Sequence, residues 1–413
     1  MISRTFFSEN RHPLLSSECS SESICPVCSS ADIAVILEIS QLPANILLLC
    51  STQDQALGLG SARGDIQLGF CQGCGHIFNL LFDPKLVEYT QDYENSLHFS
   101  PRFQNDTTSL ATRLIERYDL HGKDIIEIGC GKGDFLKLLC EAGGNSGVGF
   151  DPSYVPQATD AKTAKQVHFI QDFYSERYAS YKADLICSRQ VLEHIYNPVN
   201  FLNMVRQAIG NRLNTVVFFD VPNMLFMLRE LDIWNIFYEH CSYFGPSSLA
   251  RVFMACGFNI CNITETFGGQ FLCIEALPAE DLANSKCAPG DDFKEMLDDV
   301  VAFADNYRSK VETWRSKLDQ IKCSGQRAIA WGAGSRGTVF LNTLKTQDQI
   351  QYVVDINPRK QGMYIAGTGQ QIVSPAFLSD YQPDVVILIN PIYQSEVQQL
   401  IDSLGLTTEL ICA

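Results

Sequence analysis

The chain predicts an α/β protein in three parts. A doubly wound, mainly parallel sheet lies in the middle, a small cysteine module precedes it, and a second α/β unit follows. Three observations carry this expectation. Short apolar runs alternate with amphipathic stretches from about residue 122, as parallel strands with covering helices require. Paired C-x2-C knuckles stand ahead of them. The alternation gives way to a charged helical stretch and restarts at "RAIAWGAGSRG". At 413 residues the chain is too long for one ordinary domain. The divisions expected are a flexible 1–20, a cysteine module over 21–85, the large α/β domain over 86–280, a helical linker over 281–320 and the last domain over 321–413.

In the module, "CPVCSS" and "CQGCGH" place Cys25, Cys28, Cys71 and Cys74 in two knuckles. Two such knuckles bring four thiolates around a structural Zn²⁺, a closed site with no open position. Gly73 and Gly75 permit the tight turn that aims both sulfurs inward. Four buried thiols or a redox pair are the plainer readings. His76 is expected at the surface or beside the metal. Residues 86–118 read as mainly helical, with Tyr89, Tyr93, Phe99 and Phe103 spaced along them.

The large domain opens with "DIIEIGCGKGDFLKLL", a strand, a glycine turn and a helix. Further strands read as "SGVGFD", "VHFIQD", "ADLICSR" and "NTVVFFDVP", and "RVFMACGFNICNITET" with "GGQFLCIEAL" as a helix and an antiparallel edge. Gly129, Gly131 and Gly133 let the backbone approach a ligand and turn sharply. Glu127 stands two residues before the first glycine. Asp151 ends the next strand, placed for ribose hydroxyls, and Asp172 ends the one after, placed for an adenine amino group, with Phe173 to stack on the ring. A general nucleotide-fold turn with acidic strand ends shares part of this pattern. The ordered set resembles the class I S-adenosylmethionine (SAM)-dependent methyltransferases. The spacing G-x-G-x-G, rather than G-x-G-x-x-G, speaks against a dinucleotide at this turn.

"WNIFYEHCSYF", residues 234–244, sets Glu239 and His240 among aromatic side chains. SAM is an electrophile, so an oxygen or carbon nucleophile needs a base to take its proton. His240 suits that role because imidazole titrates near neutrality, with Glu239 or a tyrosine to orient it. A buried pair that only caps a helix is the alternative.

The knuckles, the SAM turn, "EHCSYF" and the last glycine turn together resemble the sugar-nucleotide C-methyltransferases that act on deoxy-4-keto sugars, over residues 22–413. The resemblance implies that His240 removes a proton α to a ketone, with Glu239 as its polar partner, and that the enolate attacks the methyl of SAM. That family commonly reads Tyr-His-Glu-His where this chain reads Phe237-Tyr238-Glu239-His240; if the family's tyrosine binds the keto oxygen, that role is either lost here or passes to Tyr238. Tyr93 is a further candidate. Gln190 and His194 follow the fourth strand and are candidates to line the substrate cleft, although His194 also reads as a satisfied helix residue.

Gly332, Gly334 and Gly337 form G-x-G-x-x-G, with Asp355 ending the next strand 18 residues beyond. By spacing this is a dinucleotide fingerprint, and a fused NAD-dependent oxidoreductase is the alternative it raises. The family resemblance implies instead a Rossmann-like domain that helps hold the sugar nucleotide, with Arg336 and helix-end amides on the diphosphate. O-methylation of a sugar or other small molecule is a second alternative, and a scaffold without turnover a third. The balance of 31 basic and 47 acidic residues, −16 in all, argues against a nucleic-acid surface. No apolar run suits a membrane helix or a secretory signal. Most of the 16 cysteines sit in apolar runs, as in a cytoplasmic protein with reduced thiols. The sequons at Asn105 and Asn262 then meet no glycosylation machinery.

Overall fold

The computed structural model describes residues 23–58, 63–156, 166–280 and 293–413. The segment 1–20 and the start of 281–320 lie outside them. Three sheets organise these residues. The first is antiparallel, in the order β1 (Ile33–Pro43), β2 (Arg63–Cys71), β3 (Ile77–Asn79) and β9 (Ser242–Tyr243). Its last strand belongs to the aromatic stretch, so the module and the large domain share one sheet.

The second sheet has seven strands. Its order is β10 (Phe258–Thr266), β11 (Phe271–Pro278), β8 (Val216–Pro222), β7 (Leu185–Arg189), β4 (Asp124–Ile128), β5 (Ser146–Phe150) and β6 (Val167–Ile170). From β8 to β6 the pairs are parallel, while β10 and β11 form an antiparallel edge. β7 and β8 are buried almost throughout, which is why "LICSR" and "VVFFDVP" read as unbroken apolar runs. The order β5–β4–β7 puts the switch point at the carboxyl end of β4, where a doubly wound sheet binds its ligand.

The third sheet is parallel: β14 (Gln371–Val373), β13 (Ile350–Val354), β12 (Ala328–Trp331), β15 (Val385–Leu388) and β16 (Glu409–Cys412). The helix Phe293–Cys323 leads into it. Met296, Val300, Phe303, Tyr307, Val311, Trp314, Leu318 and Ile321 recur every three or four residues along that helix and are all buried. They join a core shared with Trp234, Phe340 and the inner side of the first sheet. The stretch expected to act as a spacer is therefore a core element.

Residues 86–100 also depart from expectation. The helix is confined to Pro101–Tyr118, where Ser100 accepts from the Phe103 amide and Pro101 fits the first turn. Ahead of it the chain runs irregularly, bridging at Tyr93 to Leu48.

Candidate functional site

In the module, Cys25 Sγ lies 3.5 Å from Cys74 Sγ, and Cys28 Sγ lies 3.5 Å from Cys71 Sγ. All four sulfurs lie within 4.8 Å of one another. Tetrahedral thiolates at the Zn–S length of about 2.3 Å stand about 3.8 Å apart, so the set fits zinc. Gly75 takes a φ of +73° and its amide donates to the Cys71 carbonyl, closing the second knuckle. His76 is buried rather than at the surface. Its ring packs against Phe244, and its Nε2 lies 3.2 Å from Ser242 Oγ.

One cleft lies at the carboxyl ends of parallel strands of both large sheets. On one wall is the turn after β4. Gly129, Gly131 and Gly133 hold φ of +72°, +54° and +79°. A Cβ on Gly129 would stand 2.3 Å from Val191 Cγ2, and one on Gly133 2.3 Å from the Phe169 ring. A Cβ on Gly131 would meet only Asn95, at 3.8 Å, so that turn is open to a ligand. The Gly131 amide donates to Asp151 Oδ2 at 2.8 Å, and Asp151 Oδ1 accepts from Ser153. Glu127 accepts from the Leu136 amide, and burial pushes its carboxyl up to about 8. These groups fit the methyl donor expected there.

Glu127, Gly129 and Gly131 line the cleft, whereas Gly133, Asp151, Asp172 and Phe173 stand outside its walls. Asp172 pairs with Arg177 and accepts from Tyr178 Oη, so its carboxylate is already engaged. Phe173 is 61 % exposed.

The aromatic stretch forms the floor. His240 is buried, with its ring 3.7 Å from Phe237 and 4.9 Å from His194, centroid to centroid. Its Nδ1 has no hydrogen-bond partner. Burial first, then His194 and Arg336, hold this imidazole well below its usual range, so it is uncharged. His194 lines the same cleft; its Nδ1 lies 3.0 Å from the Glu239 carbonyl and 3.0 Å from Tyr89 Oη. A carbonyl only accepts, so the network assigns the proton to Nδ1 and leaves Nε2 with its lone pair.

Two candidates face elsewhere. Glu239 Oε1 accepts from the Ile46 amide at 2.7 Å and Oε2 from Tyr93 Oη at 2.8 Å. That carboxyl, pushed up to about 7 by burial, braces the module and the Tyr93 segment and does not orient His240. Tyr238 Oη accepts from the Asp83 amide at 2.8 Å, and its ring packs on Phe82 and over Gly64. The phenol therefore points away from the cleft, because Gly64 leaves room for it on the module side. Tyr93 does line the cleft while donating to Glu239.

Gln190 lines it from an unusual backbone, φ +54°, held by bonds from its amide and Nε2 to Asp220 Oδ1. Asp220 also pairs with Arg189 at 2.8 Å. Sequence reasoning passed over Asp220, and it passed over Glu193, whose carboxyl Oε1 lies 4.0 Å from His240 Nε2. A carboxylate directly before His194 in "VLEH" was the available signal.

The opposite wall is the turn after β12. The Ala333 amide donates to Asp355 Oδ2 at 2.9 Å, the same construction as Gly131 and Asp151. A Cβ on Gly337 would stand 1.9 Å from the Gly332 carbonyl, which requires glycine there. Arg336 lines the cleft, held by Asp232 through Nε and Nη2, the latter at 2.8 Å.

The chain is similar to known methyltransferases. Residues 103–263 match a family profile described as a methyltransferase domain, and residues 293–408 match one described as a C-methyltransferase C-terminal domain. The C-methyltransferase NovU of Streptomyces niveus is 24 % identical over 311 residues, covering 70 % of this chain and 71 % of that protein. Among solved structures, the magnesium protoporphyrin IX methyltransferase of Synechocystis PCC 6803 with bound SAH is 17 % identical, with a TM-score of 0.34 over 43 % of this chain and 84 % of that one. The N,N-8-amino-8-demethyl-D-riboflavin dimethyltransferase of Streptomyces davawensis is 18 % identical, with a TM-score of 0.35 over 43 % and 56 %. No described helix is long and apolar enough to cross a membrane.

Proposed function

We propose a substrate and a base for a chain that belongs to the SAM-dependent C-methyltransferases: it methylates carbon on a nucleotide-linked keto-deoxysugar, and His240 removes the proton α to the ketone. The observation that carries the base assignment is a buried, neutral imidazole that lines the same cleft as the glycine turn after β4, with its Nε2 on the side of Glu193. A carbon acid next to a ketone is within reach of such a base, and burial keeps the base uncharged in advance of the reaction.

When bound, SAM supplies an electrophilic methyl group. Gly129 and Gly131 would hold it through the open turn, with Asp151 fixing the turn from behind. His240 takes the proton from the substrate carbon. Phe237 and the surrounding aromatic side chains exclude water from it. Arg336, steadied by Asp232, and the amides of the turn after β12 are suited to the diphosphate on the facing wall. Cys25, Cys28, Cys71 and Cys74 would hold a structural Zn²⁺, and β3 of the module they close pairs with β9, two residues from His240.

The reading is tested with SAM carrying a ¹³C methyl and dTDP- and CDP-linked 4-keto-6-deoxyhexoses. NMR should place the label on a ring carbon adjacent to the ketone. Label on oxygen, or no transfer to any keto sugar while SAH binds normally, overturns it.

A further inference from the structure

We infer that Glu193 is a second catalytic group of this site: its carboxyl donates a hydrogen bond to the substrate's ketone oxygen while His240 removes the neighbouring proton. The inference rests on the base assignment above and deepens it. Glu193 is 1 % exposed, yet neither carboxyl oxygen has a hydrogen-bond partner. Buried carboxyls are normally satisfied, and an orphaned one needs an explanation beyond folding. It lines the same cleft as His240.

The spacing between the two groups is informative. Glu193 Oε1 stands 4.0 Å from His240 Nε2, too far for a hydrogen bond between them. It suits two groups that grip adjacent atoms of a third molecule, one at the carbonyl oxygen and one at the hydrogen on the next carbon. The main chain holds Glu193 there. It lies in the short turn Leu192–His194, and Cys241 Sγ donates to its carbonyl at 3.4 Å. Burial raises this carboxyl well above the usual range, so it keeps a proton to give. A carboxylic acid kept neutral in an apolar site can serve as an oxyanion donor.

The step balances. The C–H bond breaks, its proton goes to the imidazole, and its electron pair becomes the carbon–carbon double bond of the enolate. The carbonyl π pair moves to oxygen, where the Glu193 O–H bond meets it without leaving Glu193. The enolate carbon then bonds to the methyl, the carbon–sulfur bond breaks, the carbonyl reforms and S-adenosylhomocysteine (SAH) departs. The imidazolium returns its proton to water.

The test uses the full chain with a dTDP-linked 4-keto-6-deoxyhexose in D₂O. Deuterium entry at the α carbon is followed by NMR with SAH bound, and turnover is followed with SAM. Glu193→Ala should slow both by at least ~100-fold, the usual cost of an oxyanion donor, with SAH affinity unchanged. Glu193→Gln keeps an N–H donor and should retain at least about a tenth of both rates, since a neutral donor still meets the oxygen. Wild-type exchange in Glu193→Ala beside a dead His240→Asn overturns this inference alone, and exchange surviving in His240→Asn overturns the base assignment beneath it. Should Glu193→Ala fail to fold, Glu193→Gln decides. Loss of exchange in it with SAH binding intact means that Glu193 acts by charge, or with His194 and His240 on a metal ion, since their ligand atoms lie within 4.8 Å of one another. That outcome refutes donation.

Discussion

Replacing Glu239 separates bracing from chemistry. Its two oxygens receive the Ile46 amide and the Tyr93 hydroxyl, both deep in the protein. Alanine would leave those two donors without acceptors. Each buried unsatisfied group costs about 1–3 kcal/mol, so Glu239→Ala should lose about 2–6 kcal/mol. Glutamine offers an oxygen to Ile46 and an amide to the Tyr93 oxygen, so Glu239→Gln should cost under about 1.5 kcal/mol. The pH dependence has a definite sign. The folded carboxyl sits at about 7 against 4.5 for a free one, because burial disfavours its charge. A raised acid contributes stability that is present below 4.5 and lost as pH rises through 7. Spread over that interval the loss is about 3 kcal/mol, and Glu239→Gln should lack it. Denaturant unfolding from pH 4 to 8 measures the difference, and turnover at each pH accompanies it. Glu239→Gln should stay within about tenfold of wild-type turnover, because no transition-state contact is removed. A Glu239→Gln enzyme that folds, binds SAH and does not turn over would refute the argument, as would a Glu239→Ala protein of unchanged stability.

Three further outcomes are expected. Gly129→Ala places a methyl 2.3 Å from Val191 Cγ2 at a φ of +72°, so SAH affinity by calorimetry should fall at least ~10-fold, since left-handed strain and overpacking each cost about 1–3 kcal/mol. Because burial holds His240 below the ordinary histidine range, the acid limb of kcat/KM should fall below pH 6.5; a limb above 6.5 would contradict a buried neutral base. Metal analysis should find one zinc per chain, and Cys74→Ser should lose it and lower Tm, whereas full stability without zinc would remove the metal from the account.

The parallel strands were legible because burial on both faces writes them as apolar runs, as in "LICSR" and "VVFFDVP". The module's strands were not. β1 carries irregularities between Val35 and Leu37 and between Ile39 and Leu42, which break the two-residue alternation that would have announced it. The helix Phe293–Cys323 looked like a spacer because its charged outer face hides an apolar stripe. Among the site residues, the glycine turn followed from its spacing. The direction of Glu239 and Tyr238 did not, since it depends on Ile46 and Gly64, 193 and 174 positions away. Glu193 offers in sequence only its place beside His194, and the close of the turn on His240 is what gives it a meaning.

The decisive measurement is solvent deuterium entry at the substrate's α carbon in wild type and His240→Asn, both bound to SAH. The wild type should exchange without any methyl transfer, and the variant should not, although it binds SAH and sugar nucleotide as tightly. Exchange at the wild-type rate without the imidazole would mean that another group removes the proton.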